Sequence, residues 1–312
     1  FPIEIRELLE NETIEEDETA QSYADNVIYY ITTNDQAITD PNMYDYDGIS
    51  IVSHVYEQGL GTITFSGKLT HIGNSMFYGR ETIKSLIIPG SINAVNDSAF
   101  QRCLNLEKIS FVEEINIGNK QLFVSNNGSN ITTIPNSVTF IGVNAFNCCK
   151  FQHVVLPEGL TSLSRGALSD CGELLSVKLP STITSIGDHA FMYCNKIKNI
   201  ELPAALEHLG KGAFGYCRAL ESMVIPNKIK ELSADLFYEC LSLKSVKNPE
   251  GLLSFGHNAF FRCHALESIN IPSTVTALYG NFYECSSLKK IEIPGSIETL
   301  PMTLFYYCTS LE

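Results

Sequence analysis

The chain has 312 residues, 44% of them hydrophobic, and a net charge of −14, a size and composition that suit one or two globular domains or one long array burying its core unit by unit. Residues 1–48 hold thirteen Asp and Glu against the single base Arg6, and the other 264 residues are near neutral with 22 acids and 20 bases. A near-neutral body without a Lys/Arg stripe lacks the counterion release that drives nucleic-acid binding, and no run reaches the roughly 18 apolar residues of a membrane-spanning helix.

Residues 1–25, acidic or polar almost throughout Glu10 to Glu18, are expected to form a weakly ordered tether, with Ile3, Ile5, Leu8 and Leu9 able to make one amphipathic turn. The chain starts at Phe1 and stops at Leu311-Glu312, where earlier repeats begin a strand, so both ends are expected to be processed or cut. Residues 26–67 are expected to form an N-terminal capping unit: a Val-Ile-Tyr-Tyr-Ile-Thr-Thr run, an Asp/Asn/Pro loop around Asp40 to Gly48, and a β-hairpin over 49–67. Such a unit hides the edge of the first repeat. Asp45-Tyr46-Asp47-Gly48 hints at a calcium loop, but no register supplies the Glu that an EF-hand needs at its twelfth position, and a plain turn is the alternative.

From residue 68 onward the chain repeats itself. A landmark recurs at Phe77, Phe100, Phe123, Phe146, Leu168, Phe191, Phe214, Phe237, Phe260, Phe282 and Phe305, in steps of 23 residues with two of 22. Three positions later stand Cys103, Cys149, Cys171, Cys194, Cys217, Cys240, Cys263, Cys285 and Cys308, nine of the ten cysteines, with Cys148 outside the column. Segments such as Leu266 to Pro272 alternate apolar and polar residues as a half-buried strand does, with Ile269 and Ile271 inward, Ser268 and Asn270 outward, and a proline that removes a ladder donor. The following Ile-Gly-x-x-Ala-Phe-x-x-Cys, as in Ile186 to Cys194, offers a glycine for a positive-φ corner and a spacing that suits a short helix. About eleven coils of strand, turn and short helix follow over 68–312. The coil of Phe123 departs from this pattern. It has Asn126 in place of its Cys, Val112 in place of the preceding proline, and a polar loop to Asn130, so a bulge or local specialisation is expected there.

Repeats worded like Leu179 to Cys194 resemble the BspA-like leucine-rich repeats of surface proteins from gut and oral anaerobic bacteria, and the resemblance spans about residues 68–312. Residues 49–67 look like the hairpin that leads into the first coil in some members. The resemblance implies an α/β-class, right-handed leucine-rich-repeat solenoid with an N-terminal hairpin cap. It also implies display at the cell surface or secretion, with a lipid anchor possible upstream of residue 1, and adhesion to other proteins or cells without one shared ligand.

The residues themselves offer little catalytic chemistry. The seven histidines form no His-Glu-x-x-His pattern, and neither a nucleophile elbow nor a phosphate-binding glycine loop occurs. The phase-locked cysteines read as small core residues with free thiols, over disulfides between column neighbours or a metal site lacking short paired spacing. The sequons at Asn11, Asn96, Asn127 and Asn130 mark surface turns only in a host that glycosylates them. The chain is therefore expected to be a non-enzymatic binding protein without cofactor or metal.

Two columns are candidates for contact. The outward strand column reads Ile87, Ser110, Thr133, Val155, Lys178, Glu201, Val224, Lys247, Asn270 and Glu292, of which Lys178, Glu201, Lys247, Asn270 and Glu292 are the polar candidates. Just after the landmark, Tyr238, Phe261, Tyr283 and Tyr306 fall in register and can stack as a ladder, either as packing between turns or as an apolar strip for protein or glycan. The partner is an extracellular protein or a glycan. The alternatives are a glycan-binding accessory module of a carbohydrate-uptake system, or a spacer that self-associates weakly through its ends.

Overall fold

The computed structural model describes residues 25–46, 48–112 and 130–312. The expected tether (save Asp25), Asp47, Phe123, Asn126 and the sequons at Asn11 and Asn127 lie outside the described residues. The chain divides into two compact units, 1–159 and 160–312, and in each the repeats stack as coils of a solenoid.

In the first unit the strands are β1 (Val27–Thr32), β2 (Ile51–Glu57), β3 (Leu60–Phe65), β4 (His71–Ile72), β5 (Ile83–Pro89), β6 (Ala94–Val95), β7 (Lys108–Val112), β8 (Ile131–Thr133), β9 (Phe140–Ile141) and β10 (His153–Val155). β2 and β3 form an antiparallel hairpin, β3 pairs with β1, and β1 lies antiparallel on β5, matching Tyr30 to Leu86. β5 then pairs in parallel with β7. The edge that the parallel sheet would leave open at β5 is thus occupied by β1.

The loop before the hairpin closes the other side of the first coil. Asn42 donates its N–H to Met76 O (3.0 Å) and its Nδ2 to Ser75 O (2.8 Å). Asp45 accepts the Asn74 N–H, and Tyr46 Oη donates to His71 O while accepting the Gly73 N–H at 3.1 Å. Asp45 also begins a relay in which Asn74 Oδ1 accepts the Asp97 N–H (3.0 Å) and Asp97 Oδ1 accepts the Val143 N–H (2.7 Å). Asp45, one of the two carboxylates that hinted at calcium, is thus a backbone cap.

The expected short helix is replaced: no helix occurs among the described residues, and the segment around each landmark is a chain of β-turns. In the Phe77 coil, Met76 N–H donates to Gly73 O (3.2 Å), Tyr78 N–H to Ser75 O (3.1 Å) and Arg80 N–H to Phe77 O (3.1 Å). The intervening donors point outward, Ser75 to Asp97 O (2.9 Å), Phe77 to Ala99 O (2.8 Å) and Gly79 to Gln101 O (2.9 Å), so alternate peptides serve the coil and its neighbour. A helix would consume every donor internally and leave the stack without this ladder.

The turns demand positive φ two residues before and two after the landmark, as at His189 (56°) and Tyr193 (63°) or Gly212 (57°) and Tyr216 (59°). The glycine of Ile-Gly is not one of these corners. It allows close approach instead: a Cβ on Gly210 would meet the Asp188 nitrogen at 2.3 Å, and one on Gly187 the Arg165 nitrogen at 2.8 Å.

Landmark rings stack coil on coil, Phe77 on Phe100 at 5.4 Å and, in the second unit, Phe191 on Phe214 (5.6 Å), Phe214 on Phe237 (6.0 Å) and Phe237 on Phe260 (5.5 Å). Burying a Phe contributes roughly 1.5–3 kcal/mol. All ten cysteines are free thiols, eight of them buried. Those of the column donate to the preceding landmark's carbonyl, as from Cys217 Sγ to Phe191 O (3.1 Å) and Cys240 Sγ to Phe214 O (3.1 Å). Each such carbonyl also accepts the N–H of its own coil's cysteine. Burial pushes the Cys103 and Cys217 thiols up to about 12 and raises Cys194, Cys240, Cys263 and Cys285 as well.

The count of eleven coils is not met. Phe100 stacks directly on Phe146 at 5.6 Å, β6 pairs with β9, and Cys149 Sγ donates to Phe100 O at 3.4 Å, so no coil of Phe123 stands between them. On the strand side β7 does occupy a place, beside β5, and its Ile109 N–H donates to Thr132 Oγ1 of β8 (3.3 Å). Among the described residues, β7 thus holds a place in the sheet while Phe100 and Phe146 are direct neighbours in the turn ladder. The outward strand column also needs correction here, since Ile87 and Ser110 are buried, each only 2% exposed.

Candidate interaction surface

Regular stacking brings turn side chains of successive coils into contact whenever they share a phase. In the second unit Tyr238 stacks on Phe261 (4.7 Å between ring centres, 8° between planes), Phe261 on Tyr283 (4.8 Å, 7°) and Tyr283 on Tyr306 (5.3 Å). The row extends further than these four. Tyr193 stacks on Tyr216 at 4.4 Å, and Tyr216 meets Tyr238 at 5.3 Å with a tilt of 45°. Tyr193 and Tyr216 stand two residues after their landmarks rather than one, so a search of a single column misses them; the tilt marks where the row changes column. Both sit at the positive-φ turn position. Their neighbours one residue after the landmark, Met192 and Gly215, leave that column without a ring.

Six rings thus form one row. Tyr193 is 37% and Tyr306 49% exposed, and the four between are partly buried. Because most ring faces are turned to each other, the row offers ring edges and phenol hydroxyls to solvent. Burial first raises the Tyr193, Tyr216 and Tyr238 pKa values, followed by a neighbouring phenol at Tyr193 and Tyr216 and by the Glu239 carboxylate at Tyr238.

A charged rim runs beside the rings. Arg218 pairs with Glu239 (3.1 Å), Arg262 bridges Glu239 (3.3 Å) and Glu284 (2.9 Å), and His264 lies 3.7 Å from Glu284. The guanidinium carbons sit over rings, Arg218 5.9 Å from Tyr216 and Arg262 5.3 Å from Phe261.

The strand column occupies a different segment of each coil. Lys178, Glu201, Lys247, Asn270 and Glu292 are all exposed, Val224 is 63% exposed, and the parallel register sets Val224 beside Lys247. Exposed Ser222, Ser245 and Ser268 form a second row next to them. The result is a strand face of mixed sign, on which Glu292 lies 3.6 Å from Lys290.

One further constellation carries the residue types of a proton relay. Tyr30 Oη and His54 Nε2 are 2.6 Å apart, and His54 Nδ1 lies 2.7 Å from Asp40 Oδ1. Tyr30 is fully buried, its oxygen also accepts the Ile38 N–H (3.2 Å), and burial pushes its pKa up to about 12. A phenol so enclosed cannot meet a substrate; the chain ties the Asp40 loop to β1 and β2.

Comparison with known proteins agrees with this architecture. The BspA type leucine-rich repeat region matches in six copies over residues 49–172, 119–243 and 230–312. A leucine-rich repeat protein from Bacteroides ovatus is similar in structure, with 24% identity, 83% of this chain and 72% of that one covered, and a TM-score of 0.57. A leucine rich cell surface protein from Faecalibacterium prausnitzii shows 23% identity over 95% of this chain and 94% of that one, with a TM-score of 0.47. A T. pallidum leucine-rich repeat protein shows 23% identity over 66% and 83%, with a TM-score of 0.46. No curated protein matches the chain.

Proposed function

Because the chain belongs to the BspA-type leucine-rich repeat family, we propose that it is a non-enzymatic interaction module, displayed at the cell surface or secreted, that binds protein through the six-ring row of its second unit. The observation that carries this is the row itself: Tyr193, Tyr216, Tyr238, Phe261, Tyr283 and Tyr306 in continuous contact, partly exposed and rimmed by Arg218 and Arg262. Tyr and Arg are the side chains that dominate protein interfaces, because they bring large area and a polar handle at low entropic cost. A glycan stacks on open ring faces, and here those of the inner rings are taken by their neighbours. That favours protein over sugar.

The test is a binding screen of the chain against extracellular matrix proteins and a glycan array, beside a variant with Tyr238, Phe261, Tyr283 and Tyr306 changed to Ala. Protein binding that weakens in the variant supports the proposal. Sugar binding by the variant and the parent alike, or protein binding that the variant retains, moves the site to the strand face of Lys178, Glu201, Lys247, Asn270 and Glu292.

A further inference from the structure

The geometry points to a second copy of this chain as a partner of the ring row, docked across a two-fold axis that crosses the row at right angles between Tyr238 and Phe261. This inference rests on the ring row being an interaction surface. Its ground is the order of charges along the rim. The point lies inside the row, with Tyr193, Tyr216 and Tyr238 before it and Phe261, Tyr283 and Tyr306 after it, Tyr307 meeting the last of these edge-on at 4.2 Å. The rim, read along the same direction, is Arg218 and Glu239 before the point and Arg262 and Glu284 after it.

An isologous contact places each residue against the image of another, and a two-fold axis crossing the row reverses the order of the facing copy while keeping the rim on the same side. Arg218 then faces the partner's Glu284, and Glu239 faces the partner's Arg262, so all four positions meet opposite charge. A two-fold axis along the row would keep the order but put the two rims on opposite sides, where they do not meet. This is the register that pairs all four charges at once; moving the axis by one coil leaves only one Arg and one Glu matched. Each charge already has a counter-ion in its own chain, so the rim enters the interface as a neutral network and not as bare ions.

Five steps of about 4.8 Å make the row about 24 Å long. A narrow strip of that length falls short of the roughly 800 Å² per partner typical of stable complexes, so the dimer is a reversible one, in the micromolar range or weaker.

Sedimentation velocity of the full chain over a concentration series tests this, with Arg218→Glu, Glu284→Arg and an equimolar mixture of the two. The parent is expected to form dimers. Each variant alone opposes like charges twice per dimer and should dimerise at least about tenfold more weakly. The mixture should recover, because the introduced Glu at 218 faces the introduced Arg at 284, although the pairs within each chain stay broken. Circular dichroism checks folding, and Glu239→Arg with Arg262→Glu forms a second reciprocal pair if either variant misfolds. A parent that stays monomeric, variants that dimerise as it does, or a mixture that fails to recover would each overturn the pairing. Loss of matrix-protein binding in the four-ring Ala variant, seen in a chain that never dimerises, would leave the proposed function standing and remove only the self-pairing.

Discussion

The two units solve one packing problem by different routes. In the second, ring-to-ring steps from Phe191 to Phe260 stay between 5.5 and 6.0 Å with 23 residues per step. In the first, the step from Phe100 to Phe146 uses 46 residues (146 − 100) and is still 5.6 Å. The interval is thus set by ring thickness and the turn ladder. The number of residues between landmarks is only the usual means of reaching it.

If the regular unit owes its integrity to sealed thiols, alkali should break it first. Cys194, Cys217, Cys240, Cys263 and Cys285 are raised above their ordinary value of 9.0 by burial. Protonated thiols are thus favoured by folding: their contribution is complete below about pH 9 and declines as pH rises toward the folded values, because the unfolded chain releases its protons first. The slope is roughly 1.4 kcal/mol per pH unit for each thiol. Melting curves of the chain between pH 8 and 10 should fall steeply, and a flat profile would contradict the sealed column.

Next in size, Phe214→Ala in the regular unit and Phe100→Ala at the 46-residue step should each cost about 3–5 kcal/mol. Equal losses in urea titrations would show that the longer step is packed as tightly as the regular one; a much smaller loss at Phe100 would show that it is not.

Glycine substitutions separate close approach from mere repetition. Gly210→Ala drives a Cβ toward the Asp188 backbone and should cost about 1–3 kcal/mol. Gly172→Ala meets nothing within 4 Å and should shift stability by no more than about 0.5 kcal/mol.

The smallest expected change is a gain. Asn248 is 4% exposed, in the position filled by Leu179, Ile225 and Ile271 in other coils, and its Oδ1 has no hydrogen-bond partner among the described residues. Its Nδ2 donates to Asn270 O (2.9 Å). Asn248→Leu removes the stranded acceptor and should stabilise the unit by about 1 kcal/mol in thermal melts.

Much of the coil was legible in the sequence because stacking forces identical demands on each turn, so Phe214, Cys217 and Pro226 recur in phase with their counterparts. The turn chain was not legible, since small-large-small spacing around Ala213 and Phe214 fits a helix equally well. The choice is made by donors such as Phe214 N–H, which reaches Leu236 O of the next coil at 3.1 Å. Glycine at 210 looked like a corner because sequence shows which residue lacks a Cβ without showing what would collide with it. The ring row was half visible, Tyr193 and Tyr216 being displaced by one residue from the column that announced the others. Pairings such as Tyr30 with His54 join residues 24 apart with no shared phase, and no periodic pattern can announce them.

The turn ladder has an electrical consequence. In the second unit Gly166, His189 and Gly212 donate to Asp188, Lys211 and Ala234, and Leu168, Phe191 and Phe214 donate to Ala190, Ala213 and Leu236, always toward the later coil. Peptide dipoles aligned this way add along the stack as they do along a helix axis. At the Ile-Gly corner the bonds run back instead, Gly187 donating to Leu163 and Gly210 to Ile186, so the stack carries two antiparallel rows of dipoles, the turn edge pointing one way and the corner the other.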